Sequence, residues 1–155
     1  MIPDRVIEFI HGPVFMQIGT RDATLRPFHA FVVGARVHDD RQTVTMLVPT
    51  ARADRVVRDL ADNGRVAFTT GHVSHESYQL KGTYLSTRPA DAEDRARQEA
   101  LRAALLASAL EAGFPDSIAR PLTQGFAYAP AVAITFRAEE VYQQTPGPDA
   151  GTRMA

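Results

Sequence analysis

Val48-Pro49-Thr50-Ala51-Arg52-Ala53-Asp54-Arg55 and, further on, Thr69-Thr70-Gly71-His72-Val73-Ser74-His75-Glu76-Ser77-Tyr78-Gln79-Leu80-Lys81-Gly82 are the segments that decide how this chain reads. The first closes a run over 43–49 whose alternation and Val, Thr and Met content predict a strand. Thr50 then suits a helix N-cap, Val56, Val57, Leu60 and Ala61 recur at helical spacing, and Asn63-Gly64 supplies a C-terminal stop. Arg52 and Arg55 fall in the first turns, where the helix dipole disfavours cations by about 0.3–1 kcal/mol each. An anion would reverse that sign. Free backbone N–H groups, a threonine hydroxyl and guanidinium forks are the parts of a phosphate site. The same arginines also read as solvated side chains balanced by Asp54. The second segment ends as a strand at Gln79-Leu80-Lys81-Gly82, and the pair points to a small β-barrel holding a phosphorylated cofactor.

Composition narrows the class. A chain of 155 residues with 45% hydrophobic and 23% charged residues reads as one ordinary globular unit. Seventeen basic residues against 18 acidic ones leave a net charge of −1, which lacks the basic footprint of a general nucleic-acid binder. Cysteine is absent, so thiolate metal sites, disulfides and a cysteine nucleophile are excluded. No apolar run approaches the roughly 20 residues of a membrane span and no signal-like segment opens the chain, so a cytoplasmic protein is expected.

Periodicity predicts helices over 4–10, from Thr50 to Asn63-Gly64 and over 91–112, with strands over 14–20, 27–37, 43–49, 65–70, 75–87 and 131–141. The fold class is therefore mainly β with helices, α+β. Asp91 and Asp94 have the spacing of a capping box, and Gly113-Phe114-Pro115 stops the long helix. Leu101, Leu105, Leu106 and Leu110 mark its buried side. The second and third strands are apolar on both faces, so one face lines a core and the other needs cover. A second copy, a flat ligand or a helix of the same chain would each supply it, and Gly34 would let a partner approach the backbone. A barrel domain over 1–144 is followed by a Pro/Gly-rich tail over 145–155.

This order of elements resembles the flavin-binding split barrels related to pyridoxamine 5′-phosphate oxidase. Thr50 and Arg55 keep the spacing at which that family holds the phosphate of flavin mononucleotide (FMN). Leu60, Asn63 and Val66-Ala67-Phe68 resemble its helix end and next strand, and Gln79-Leu80-Lys81-Gly82 with Tyr84-Leu85-Ser86-Thr87-Arg88-Pro89 resemble its later motifs. The resemblance spans roughly 14–141. It implies a six-stranded antiparallel split β-barrel, homodimeric, with FMN between the subunits. Related barrels bind a deazaflavin or haem instead. The chain departs from the oxidases at Val56, where they carry a Lys, at Phe28-His29-Ala30, where they carry a basic residue, and at Ser77, where they carry a Gln. It also lacks tryptophan and their basic carboxy-terminal signature.

The resemblance and the residues together give one candidate site. Thr50, Arg52 and Arg55 would hold phosphate. His29 and Val48-Pro49 would lie near the ring, and Ser77, Gln79 and Lys81, read with His75 as one polar face of a strand, would offer hydrogen bonds. No catalytic side chain is assigned, because a flavin carries its own hydride chemistry. No metal is expected, since His72 and His75 on an extended strand would point to opposite faces. The expected function is an FMN-dependent oxidoreductase acting on a small molecule. A non-catalytic barrel storing or sensing flavin, deazaflavin or haem is the alternative, favoured by Val56.

Overall fold

A computed structural model describes residues 1–127 and 130–155. The elements are α1 (Asp4–Ile10), β1 (Phe15–Arg21), β2 (Pro27–Val32), β3 (Ala35–Val37), β4 (Thr43–Pro49), α2 (Thr50–Asn63), β5 (Arg65–Gly71), β6 (Ser77–Pro89), α3 (Ala92–Glu111), α4 (Asp116–Gln124) and β7 (Ala131–Gln143). The strands form one sheet in the order β2-β1-β5-β6-β7-β4-β3, and every paired neighbour is antiparallel.

Seven strands replace the expected six because the run over 27–37 breaks at Val33-Gly34. Before the break the chain pairs with β1, and after it with β4. Val33 N–H donates to the Leu47 carbonyl at 2.9 Å, and Leu47 N–H donates to the Gly34 carbonyl at 2.8 Å. The two ends of the strand order are therefore consecutive in the chain, and the sheet curls onto itself. Glycine suits the bend, since a Cβ on Gly34 would lie 2.9 Å from Leu47 Cδ1 and 3.7 Å from Gln98 Cα. Gln98 belongs to α3, so a helix of this chain covers Gly34 and the buried Leu47 from outside. The outer apolar surface at Gly34 and Leu47 is thus met within the chain, while Phe31 further back on β2 stays exposed.

Alternation on β1 and β5 builds one side of the interior, while β4 is buried on both faces from Val44 to Val48. On β1 Met16, Ile18 and Thr20 are buried while Gln17 and Arg21 are exposed, and β5 buries Val66, Phe68 and Thr70 in the same way. Phe68 and Phe136 pack across the barrel at 6.1 Å between ring centroids. Among the described residues no helix is long and apolar enough to cross a membrane.

Local end signals hold unevenly. Gly64 stops α2 at φ +68°, and its N–H donates to the Leu60 carbonyl at 2.8 Å. The Asp91–Asp94 capping box forms as expected, and Arg88 bonds the same Asp94 carboxylate. Thr50 is not an N-cap: it is the first helical residue after Pro49, no side chain caps α2, and its N–H donates to the Pro130 carbonyl at 2.7 Å. Helix α4 carries Pro121, a breaker signal that hides it in the sequence. β6 begins at Ser77 rather than at 75, since His75 sits in the preceding turn at φ +69° with its N–H on the His72 carbonyl. His75 therefore does not share a strand face with Ser77, Gln79 and Lys81. The segment after β7 folds back: Gln143 N–H donates to Thr152, and Met154 N–H to Val141, at 2.9 and 2.7 Å.

Gly82 lies at a register shift between β6 and β7, where a Cβ would come within 1.9 Å of the Arg137 carbonyl oxygen. Gly82→Ala is expected to destabilise the protein by about 3 kcal/mol, because the obstacle is backbone and cannot rotate away. Urea denaturation checks this, and a midpoint within error of wild type would refute it.

Candidate functional site

The outer face of β2, β1, β5 and β6 carries a groove of about 640 Å³. Its geometry follows from one cross-strand row. His29 pairs with Gly19, Gly19 with Ala67, Ala67 with Lys81, and Lys81 with Glu140. Residues opposite one another in paired strands point to the same side. The row is therefore a floor of backbone and one methyl group, with His29 on one side and Lys81 on the other. Three strand spacings separate those two residues, about 14 Å. A Cβ on Gly19 would meet only Ala67, at 3.7 Å, so the open floor is a property of the sequence rather than of crowding.

The Lys81 side is electrostatically organised. Lys81 Nζ lies 4.7 Å from the centroid of the Tyr142 ring, and the Tyr142 hydroxyl donates to Glu140. That hydrogen bond pushes the Tyr142 pKa up and the Glu140 pKa down, so Glu140 is held as an anion near the ammonium. Gln79 lies one pleat along the same face, opposite Thr69, and Ser77 two pleats along, opposite Gly71. Neither lines the groove. The Ser77 N–H donates to Thr145 Oγ1 at 3.0 Å.

On the other side, Phe28 joins the groove to the start of α2. Phe28 borders the groove, and its ring, on the side of the sheet that its cross-strand partner Thr20 faces, carries two guanidinium groups, those of Arg52 at 5.2 Å and Arg55 at 5.6 Å from the centroid. Arg52 is exposed and, among the described residues, makes no ion pair. Arg55 is held by two carboxylates. Its Nε donates to Asp59 Oδ1 at 3.0 Å, and its Nη2 to Asp22 Oδ2 at 3.0 Å. Asp59 is 2% exposed and also accepts the Thr20 hydroxyl at 2.8 Å. Asp54, the neighbour read as the balancing charge, is not the partner; adjacent helical residues do not face each other, whereas i,i+4 residues do.

The structure thus brings His29 and Lys81 to the groove and Arg52 and Arg55 to Phe28 at its border. Thr50 is exposed at the same helix start, Ser77 and Gln79 continue the outer face, and Val48 is fully buried in the core with Pro49 half-buried beside it. Whatever Val48 offers a ligand comes from its backbone. Sequence reading missed Gly19, Ala67, Phe28, Asp22 and Asp59. A glycine inside an alternating strand was the available signal, because it marks a place where something approaches the backbone.

No family model and no curated protein sequence matches the chain. Solved structures do. HupZ of Group A Streptococcus is similar at a TM-score of 0.57 and 21% identity, covering 97% of this chain and 100% of its own. A pyridoxamine 5′-phosphate oxidase candidate from Lactobacillus delbrueckii has a TM-score of 0.55 at 14% identity, covering 91% of this chain and 93% of its own. The fold is that of the pyridoxamine 5′-phosphate oxidase-like proteins. An F420 reductase shares it, with a TM-score of 0.54 at 13% identity over 90% of this chain and 98% of that one.

Asp59→Ala is expected to cost about 2 kcal/mol, less than for a fully buried pair because Arg55 remains partly solvated. Thermal or urea unfolding reads the loss. An unchanged midpoint would mean that the Thr20–Asp59–Arg55 cluster contributes nothing to the fold.

Proposed function

We propose that the protein is an FMN-dependent oxidoreductase acting on a small molecule, with the cofactor in the groove and a second copy of the chain covering it. The observation that carries this reading is the floor of Gly19 backbone and the single Ala67 methyl, flanked by His29 and Lys81, with Arg52 and Arg55 gathered over Phe28 at its border. A planar ring needs such a floor, and a phosphate needs such a cationic end. The donor set fits FMN. Lys81 and His29 would meet the ring from opposite sides, and Thr50, Arg52 and Arg55 would hold the phosphate. Ser77 and Gln79 extend the polar face toward a substrate. When bound, the flavin supplies the redox chemistry, and the chain supplies orientation and charge.

Leu25, beside the groove, and Phe31, on the same face, are exposed, which supports a homodimer that buries them. The alternative is a non-catalytic protein that holds flavin, deazaflavin or haem for storage or sensing. It is favoured by the neutralisation of Arg55 by Asp22 and Asp59, and by Val56 in place of a second cation.

The visible absorption spectrum of purified protein tests the proposal. Flavin bands, with sedimentation as a dimer at micromolar concentration, are the expected result. A Soret band would favour the alternative, and a colourless protein that takes up neither flavin nor haem would sink both. Gly19→Leu is expected to keep the fold, since the new side chain points into open space, while weakening FMN binding by about tenfold or more, equivalent to about 1.4 kcal/mol. Flavin fluorescence titration measures it, and unchanged affinity would remove the cofactor from this groove.

A further inference from the structure

Arg55 is the cation best placed by sequence to hold a phosphate, yet its charge is already answered twice. With Asp22 and Asp59 the cluster carries a net charge of −1, one guanidinium against two carboxylates. A phosphate dianion added to that arrangement meets like charge. The two carboxylates are not equivalent. Asp59 is buried and doubly engaged, by Arg55 and by the Thr20 hydroxyl. Asp22 stands on the exposed turn between β1 and β2, with its side chain about one third exposed.

The two oxygens of Asp22 divide the work. Oδ1 accepts from Thr24 N–H at 2.9 Å, Thr24 Oγ1 at 2.7 Å and Arg26 N–H at 3.0 Å, which organise the turn. Oδ2 accepts from Arg55. The turn therefore holds its shape without Arg55, and the bond to Arg55 is the part free to be exchanged. The bond from the Thr24 hydroxyl, then those from the Arg26 and Thr24 N–H groups, hold the Asp22 carboxyl below its ordinary range, so the carboxylate stays charged at neutral pH. Leu25 in the same turn and Pro27 at the start of β2, on either side of Arg26, line the groove.

Building on the proposed flavin site, we infer that Asp22 is a specificity-determining residue: an internal anion that occupies the place on Arg55 which a ligand's phosphate would take. A phosphorylated flavin must exchange its phosphate for the Asp22 carboxylate, whereas the unphosphorylated flavin enters the same groove with that ion pair intact. The chain consequently gains little from Arg55 for the phosphate, which is left to Arg52 and Thr50, and one oxygen atom holds down its discrimination between the two ligands. No covalent step is involved.

Asp22→Asn tests this cleanly. The amide oxygen keeps the three bonds that shape the turn, and the amide nitrogen in place of Oδ2 cannot accept from Arg55. Apo-protein titrated with FMN and with riboflavin is expected to show in wild type only the modest preference for FMN that Arg52 and Thr50 supply. In Asp22→Asn the FMN affinity should rise about tenfold while riboflavin affinity stays unchanged, the size of one charge-assisted bond regained. Thr24→Ala loosens the turn without removing the carboxylate and should leave the ratio of affinities as in wild type. A ratio unmoved by Asp22→Asn, or moved equally by Thr24→Ala, overturns the inference while leaving the flavin site standing. Failure of wild type and Asp22→Asn alike to bind either flavin overturns the flavin site, and the inference with it.

Discussion

The bend at Val33-Gly34 is the constraint on which the other elements depend. A seven-stranded sheet left open would present two edges with unpaired N–H and C=O groups. Here the chain leaves its pairing with β1 at the end of β2, turns over two residues and pairs with β4 as β3, so that the first and last strands of the order are consecutive. Closure fixes which side of each strand faces the core. It directs Met16, Ile18 and Phe68 inward, and with them it directs Gly19, His29, Ala67 and Lys81 outward. Because side chains alternate with a period of two, a one-residue change in the bend would turn the groove's walls into the core.

Closure also explains why charge gathers at the start of α2. The helix leaves the end of β4 and packs beside β1 and β2, so its Arg55 and Asp59 arrive next to Thr20 and Asp22. The result is a cluster in which a buried carboxylate holds the arginine in place and an exposed one answers its remaining charge. Phe28 lies under the guanidinium groups and borders the groove, so the charged cluster and the groove meet at one residue. Fold and site here are consequences of one register.

What could be read from the sequence was local. Gly64 and the Asp91–Asp94 box were legible because each rests on residues within a few positions. The barrel class followed from alternation and from the order of motifs. Thr50 was misread as a cap because the partner of its N–H is Pro130, far along the chain. Asp22 was invisible as a partner of Arg55, 33 positions away, whereas Asp59 at i+4 was legible and was passed over for its neighbour Asp54. Helix α4 was masked by Pro121, and the cover of Gly34 by α3 needed a tertiary contact that no spacing encodes. Among the candidate residues, His29 and Lys81 lie on the groove because outward polar residues on alternating strands stand out. Val48 is buried in the core, so only its backbone is available to a ligand.

The return of the chain after β7 has a bearing on solubility. β4 pairs with β7 only over Ala131 to Arg137, and the remainder of that long strand would otherwise run on with a bare flank. Residues 152–155 lie along it, with Met154 donating to Val141, and Gln143 donating to Thr152. The Pro/Gly-rich stretch before them supplies the reversal, with Gly151 at φ +86°. This segment is a shield for a strand edge: it consumes the hydrogen-bonding groups through which two barrels would otherwise join edge to edge.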